Sequence, residues 1–141
     1  MSHTESRREL IERVWVQAWN LGDVDALDDL HTPGYLRRSA ESRPQDLDAF
    51  KASILATRAA FPDLTTTVDE IVLEGERAAI RWHSIGTHQG GLLGVPATNR
   101  SVRVGGATFA HFEDGRIAEE VVTWDPRALL SALGIISVGQ D

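Results

Sequence analysis

The amino-acid sequence predicts an α+β fold in which N-terminal helices cover one face of a curved antiparallel sheet and a short helix ends the chain. Apolar residues recur at helical spacing early in the sequence, β-forming residues dominate after Leu64, and a capped helix pattern follows Trp124. Helices grouped before strands are typical of a sheet covered on one side. The 141 residues, 42% of them apolar, contain no repeat or long linker, so a single domain over residues 1–141 is expected.

Three helices are predicted before the main strands, each from a start signal, apolar residues at helical spacing and a stop signal. The first starts with the capping-box pattern of Ser6 and Glu9. The second has Asp23 as its expected cap. The three helices are expected to stop at Asn20-Leu21-Gly22, at Pro33-Gly34 and, after a start between Gln45 and Asp48, at Pro62-Asp63.

Four long strands are predicted from β-branched and aromatic residues bounded by turn residues. They are Thr65 to Leu73, Arg77 to Thr87, Arg100 to Phe112 and Arg116 to Trp124. Short turns at Glu74-Gly75 and Asp114-Gly115 predict an antiparallel meander. The glycine-rich segment from His88 to Asn99 is expected to be a loop at the rim of a pocket.

The turn at Asp114-Gly115 decides which residues of the last two strands share a face. A three-residue loop, Glu113-Asp114-Gly115, predicts the pairs Phe112–Arg116, Thr108–Glu120 and Gly106–Val122. A two-residue turn would change these partners. The inner face is then expected to carry Gly106, Thr108, Ala110, Glu120, Val122 and Trp124, and the outer face Phe109, His111, Ile117, Glu119, Val121 and Thr123.

Composition argues against several classes of function. The net charge is −7 and the basic residues are dispersed, whereas a nucleic-acid surface needs a clustered basic footprint. The absence of cysteine excludes a disulfide framework and a thiolate nucleophile. No run of about 18 apolar residues occurs, and the N-terminus is polar, so a soluble cytoplasmic protein with no membrane partner is expected.

The histidines do not suggest a metal site. His83 and His88 point to opposite faces of a strand at their spacing, and no acidic residue stands at a position matching these two or His111. Asp125, which precedes Pro126 and a leucine-patterned helix, is interpreted as a helix cap rather than a catalytic group. Neither a metal nor another cofactor is expected.

Short motifs spread over nearly the whole chain resemble a known family. They are Trp19-Asn20-Leu21-Gly22-Asp23, Phe61-Pro62-Asp63, Arg81-Trp82, Gly86-Thr87-His88-Gln89-Gly90, Gly94-Val95-Pro96-Ala97-Thr98, Asp114-Gly115-Arg116-Ile117 and the stretch from Trp124-Asp125 to Leu133-Gly134. Together they resemble the SnoaL-like polyketide cyclases of the NTF2-like superfamily. The resemblance implies a cone of helices and curved sheet, dimeric through the open sheet face, with a mostly apolar cavity that needs no metal or cofactor.

The resemblance also implies where catalytic groups would lie. The acid of the cyclases falls on Val122 of this chain, and their partnering histidine falls on Thr108. Arg37 and Arg38 fall on a strand that lines the pocket in relatives, and solvated side chains are the simplest expectation for both. This chain therefore has neither the acid nor the histidine of the cyclases.

Glu120 is the remaining candidate for acid/base chemistry on the last strand. Burial beside the cavity would raise its pKa and make it a usable base. Thr108, on the same face, is expected to bond the substrate or this carboxylate, and Arg81 is a candidate partner. The alternative is that Glu120 only forms an ion pair at the rim.

The expected ligand is a small apolar molecule, cyclic or polyketide-type, because several aromatic residues are available to line the pocket. The substrate-binding candidates are Trp15, Trp19, Tyr35, Phe50, Trp82, Phe112, Val122 and Trp124. Which face of the strand from Arg77 to Thr87 lines the pocket stays open, although Trp82 is the safer core residue.

Three functions remain open from the sequence. The first is cofactor-free acid/base catalysis of the cyclase type. The second is a diverged reaction, such as isomerisation, epoxide hydrolysis or a supporting role in hydroxylation. The third is non-catalytic ligand binding or scaffolding. A homodimer that buries the outer sheet face, with Phe109, Ile117 and Val121, is expected in all three cases.

Overall fold

The computed structural model describes residues 5–40, 42–91 and 94–135. Its helices and strands are α1 (Arg7–Trp15, continued by a π-helical turn at Val16–Asn20), a 3-10 helix (Val24–Asp29), β1 (His31–Ser39), β2 (Ser42–Asp46), α2 (Leu47–Ala60), β3 (Thr65–Glu74), β4 (Arg77–Thr87), β5 (Ser101–Glu113), β6 (Arg116–Trp124) and α3 (Pro126–Ala132). The predicted α+β class, with helices before the main strands and a short helix at the end, is confirmed.

The strands form one sheet in the order β2-β1-β6-β5-β4-β3. The meander from β3 to β6 is antiparallel as predicted, and β1 joins β6 in parallel. The strand composition alone did not predict β1 and β2. Pro33 and Gly34, interpreted as a helix stop, lie inside β1, where the pairing with β6 is interrupted between His31 and Leu36.

The predicted helix starts are mostly confirmed by hydrogen bonds. Ser6 and Glu9 form both bonds of the capping box. Asp46 caps α2, and Asp125 caps α3 by accepting a bond from the backbone N–H of Arg127 at 2.9 Å. Asp23 precedes the 3-10 helix without capping it through its side chain, so that expectation is wrong.

The hairpin between β5 and β6 has a two-residue turn, not the predicted three-residue loop. Asp114 and Gly115 both have positive φ, 51° and 83°, as a type I′ turn requires. The pairs are therefore Glu113–Arg116, Phe112–Ile117, Thr108–Val122, Ala110–Glu120 and Gly106–Trp124.

A bulge at Ala118 follows this turn, because His111 pairs with Glu119 while Phe112 pairs with Ile117. The predicted partner of Phe112 was wrong by one residue, and those of Thr108 and Gly106, beyond the bulge, by two. This even shift keeps Thr108, Glu120 and Val122 on the inner face as expected. Ile117 is the exception. Because it precedes the bulge, it turns inward and is fully buried, while Phe109 and Val121 remain on the outer face.

The main core lies between the inner sheet face and the helices. α1 contributes Ile11 and Val14, and α2 contributes Phe50 and Ile54. They pack against sheet residues that include Ile71, Ile80, Phe112 and Ile117. No helix in the described part of the chain is long and apolar enough to cross a membrane.

Candidate functional site

A cavity of about 400 Å³ lies between the helices and the inner face of the sheet. All four tryptophans of the chain line it: Trp15 and Trp19 from the first helix, Trp82 from β4 and Trp124 from the end of β6. Leu129 and Leu130 of α3 close another side. Polar atoms come from a few hydroxyls, Ser53, Thr57, Thr66, Ser84 and Thr108, and from Arg37. A mostly apolar wall with few polar groups is typical of a small-molecule pocket.

The predicted aromatic lining is only partly found at the cavity. The four tryptophans are there, but Tyr35, Phe50, Phe112 and Val122 are packed in the protein interior, each at most 4% exposed. Helix and strand periodicity predicted the inward direction of Phe50 and Val122, whereas Tyr35 and Phe112 were candidates only because they are aromatic. Periodicity shows which face of an element a residue is on, but not whether that part of the element borders the cavity. It therefore does not distinguish residues that line the cavity from residues that lie where helix and sheet pack directly.

The position of Trp82 shows which face of β4 points into the cavity. Its indole Nε1–H donates to Thr108 Oγ1 at 3.0 Å, which holds the indole against β5. Gly106 makes this position possible, because a Cβ there would lie 2.6 Å from a ring carbon of Trp82.

Arg81 consequently points to the outer face. Its guanidinium lies 3.4 Å from Glu70 and 3.6 Å from Asp69, and its side chain is 61% exposed. The expectation that it partners Glu120 is wrong, because successive residues of a strand point to opposite faces and Trp82 takes the inner one.

Thr108 and Val122 are direct cross-strand partners on the inner face. The sequence resemblance implied that the histidine and the acid of the cyclases fall on these two positions. A threonine hydroxyl does not titrate near neutral pH and a valine side chain has no polar group, so neither residue can serve as an acid or base here.

Glu120 belongs to a buried polar cluster with His31 and Tyr35. The Tyr35 hydroxyl donates a short hydrogen bond to Glu120 Oε1, and His31 Nε2 lies 3.5 Å from the same oxygen. All three side chains are almost completely buried. The parallel pairing of β1 with β6 brings them together, since Arg37 of β1 is the backbone partner of Glu120.

His31 is oriented by its other ring nitrogen. Nδ1 lies 2.9 Å from the carbonyl oxygen of Leu27, and a carbonyl only accepts, so Nδ1 carries a proton. Nε2 then faces a carboxyl oxygen. The two groups attract each other as an ion pair when Nε2 is protonated.

The pKa of Glu120 is lowered, contrary to the expectation from the sequence. Burial is the largest influence and raises it, but His31, Arg37 and the Tyr35 hydroxyl together outweigh burial. The pKa of Tyr35 is raised, mainly by burial and then by the Glu120 charge. Near neutral pH the phenol therefore keeps its proton.

Glu120 is on the predicted face but is not part of the cavity wall. The Arg37 side chain reaches that wall instead, with its guanidinium 4.5 Å from the ring centre of Phe50. Phe50 in turn contacts the Tyr35 and His31 rings. The family resemblance had placed Arg37 on a pocket-lining strand, but its side chain was expected to be solvated. Because Arg37 is two residues after the inward-facing Tyr35, it shares the inner face and lines the cavity instead.

No group of three or more acidic or histidine side chains that could hold a metal ion occurs among the described residues. His83 instead pairs with Asp69 on the outer face, with Nδ1 2.8 Å from a carboxylate oxygen. His88 is fully buried and its Nδ1 accepts a bond from the backbone N–H of Thr98 at 3.2 Å. These contacts give the two histidines separate structural partners.

The sequence of residues 9–133 matches the family described as SnoaL-like polyketide cyclase. The chain belongs to this family. Its six-stranded open sheet with covering helices is the NTF2-like cone that SnoaL-like proteins share. The resemblance seen in the sequence motifs is therefore confirmed over most of the chain. A comparison with curated proteins finds no match.

Solved structures from three Streptomyces species resemble this SnoaL-like protein closely. TsrD from Streptomyces laurentii has a TM-score of 0.84 and 27% identity, covering 96% of this chain and 100% of that one. AclR from Streptomyces galilaeus, a candidate hydroxylase, has a TM-score of 0.80 and 29% identity over 92% and 96% of the two chains. IdmH from Streptomyces antibioticus, a candidate polyketide cyclase, has a TM-score of 0.78 and 30% identity over 92% and 99%.

Proposed function

We propose that this protein binds a flat, mostly apolar cyclic or polyketide-type molecule in its cavity and promotes proton transfer next to a carbonyl group of that molecule without a metal or other cofactor. Two features support the binding part: four indole rings on the wall, which offer flat apolar surfaces, and hydroxyls between them, which offer hydrogen bonds. The similarity to IdmH, a candidate polyketide cyclase, favours a ligand of that chemical class.

The observation that carries the chemical part is Arg37. Among the described residues of the cavity wall it is the only charged one. A guanidinium is not a base, but it stabilises the negative charge that develops on a carbonyl oxygen when the neighbouring carbon loses a proton. Glu120 then acts as a positioning residue behind the wall, while the proton passes to solvent.

A non-catalytic ligand-binding or scaffolding role is the second candidate. It is favoured by Thr108 and Val122, which replace both titrating groups of the cyclases. Three further roles are alternatives to both candidates: a supporting role in hydroxylation, a diverged isomerase activity and a diverged epoxide hydrolase activity. The similarity to AclR, a candidate hydroxylase, favours the hydroxylation role among these.

Exchange of carbon-bound hydrogen in β-tetralone, a flat bicyclic ketone, tests the proposal without knowledge of the natural substrate. In heavy water with EDTA present, the protein is expected to accelerate deuterium uptake next to the carbonyl by roughly tenfold or more over buffer, measured by NMR. Arg37→Gln is expected to return the rate to that of buffer.

Binding of β-tetralone, measured by calorimetry on the same samples, separates the two candidates. Binding without faster exchange would refute the catalytic proposal and support the ligand-binding role. Exchange that is lost in EDTA and restored by one divalent ion would refute the cofactor-free mechanism.

A further inference from the structure

We propose that the cavity selects ligands that carry an anionic oxygen, namely the enolate of a 1,3-dicarbonyl, a phenolate or a carboxylate, and that Arg37 is the residue that binds this oxygen. The inference rests on the proposed function, because it requires that ligands occupy the cavity. It adds the chemical class of the ligand and the residue that determines it.

Arg37 places a positive charge on the cavity wall, and a guanidinium is a donor of hydrogen bonds that accepts none. The nearest buried acid, Glu120, is not part of this wall: it accepts a bond from Tyr35 and lies 3.5 Å from His31. An anion in the cavity would therefore face Arg37 as the only charged group among the described residues of the wall.

The surroundings of Arg37 strengthen this preference. Its guanidinium stacks on Phe50 and lines a wall made mostly of apolar side chains, so the local dielectric constant is lower and a charge pair is stronger than at the surface. Arg37 is also held in place, because Phe50 is fixed between Trp19, Tyr35 and His31. A fixed guanidinium loses little conformational entropy when it binds an oxyanion.

The rest of the wall points to the same ligand class. Among its described residues there is no carboxylate and no histidine that could remove a proton from a bound ligand. A ligand processed here must therefore lose its proton to solvent, which favours ligands with an acidic proton. A 1,3-dicarbonyl meets this requirement, because its enolate spreads the charge over two oxygens.

The strand offers a matched control in Arg38. It follows Arg37 but points to the outer face, where its Nε–H donates to Glu119 at 3.1 Å. Substitution of either arginine by glutamine removes one positive charge from β1. Only the Arg37 substitution changes the cavity.

Calorimetric titration with two probes of nearly equal shape tests the inference. β-Naphthoate carries a negative charge, and methyl β-naphthyl ketone has a methyl group in place of the charged oxygen. Wild-type protein and Arg38→Gln are expected to bind the naphthoate roughly tenfold or more tightly than the ketone. Arg37→Gln is expected to remove this preference and to keep affinity for the ketone.

The outcomes separate this inference from the proposed function. Equal binding of both probes to wild-type protein would overturn the anion preference and leave cavity binding intact. A preference that survives in Arg37→Gln, or is lost in Arg38→Gln, would overturn the role of Arg37. Failure of both probes to bind would refute the proposed cavity function and this inference together.

Discussion

At the scale of single residues, Glu120 shows what the sequence can and cannot predict. Strand alternation placed it on the inner face, and that placement is correct. Its partners His31 and Tyr35 lie more than 80 residues earlier in the chain. They reach it only through the parallel pairing of β1 with β6, which no local pattern encodes. The predicted rise of its pKa failed because burial was considered without these partners.

Glu120→Gln tests the charge of this cluster. Tyr35 and His31 both face Oε1, so the glutamine amide can keep only one of these two contacts at that position, and the fold is expected to survive with a loss of about 1–2 kcal/mol in unfolding free energy at about pH 7. Glu119→Gln is the matched control, since Glu119 is half-exposed on the outer face and pairs with Arg38. Urea denaturation of the three proteins gives these values.

The pH dependence follows from the lowered pKa of Glu120. A carboxyl group whose folded-state pKa lies below its ordinary value of 4.5 stabilises the fold above that value and loses the contribution as pH falls further. The difference between wild type and Glu120→Gln is therefore expected to shrink as the pH falls below the ordinary value of 4.5. A constant difference down to acid pH would show that the pKa of Glu120 is not lowered.

At the scale of elements, capping and composition predicted most boundaries. The capping box of α1, the Asp46 start of α2 and the Asp125 cap of α3 depend on bonds within a few residues, which a sequence shows directly. The register of the β5–β6 hairpin was harder to predict from the sequence, because Asp114-Gly115 fits both a two-residue and a three-residue loop.

The bulge at Ala118 explains why the predicted faces were nevertheless mostly right. Beyond the bulge the error in the pairs was two residues, and side chains alternate with a period of two. Only Ile117, between the turn and the bulge, was assigned to the wrong face. Arg37 was hard to place for another reason. Pro33 and Gly34, two residues that usually end an element, lie earlier in its strand, so the composition did not predict that strand.

At the scale of the whole molecule, no helix in the described part of the chain covers the outer sheet face. Phe109 and Val121 lie next to each other there as cross-strand partners, 51% and 47% exposed. We propose that a second copy of the chain covers this face, because adjacent exposed apolar side chains on a sheet are typical of a subunit contact. The burial of Ile117 makes this apolar area smaller than the sequence suggested.

Phe109→Asp tests the dimer. Light scattering at micromolar concentration is expected to give twice the chain mass for wild type and the chain mass for this variant, because a buried carboxylate without a partner opposes association. Leu55→Asp, on α2 and 49% exposed, is the control and is expected to stay dimeric. A monomeric wild type, or a dimeric Phe109→Asp protein, would rule out this interface.

We propose that the cavity between the tryptophans is the working site and that Arg37 is its charged group. A crystal structure of the protein with β-naphthoate is the decisive measurement. We expect naphthalene density among Trp15, Trp19 and Trp82, with a carboxylate oxygen within hydrogen-bond distance of the Arg37 guanidinium. Naphthoate bound instead on the outer sheet face beside Phe109, or in the cavity with its carboxylate turned away from Arg37, would contradict it.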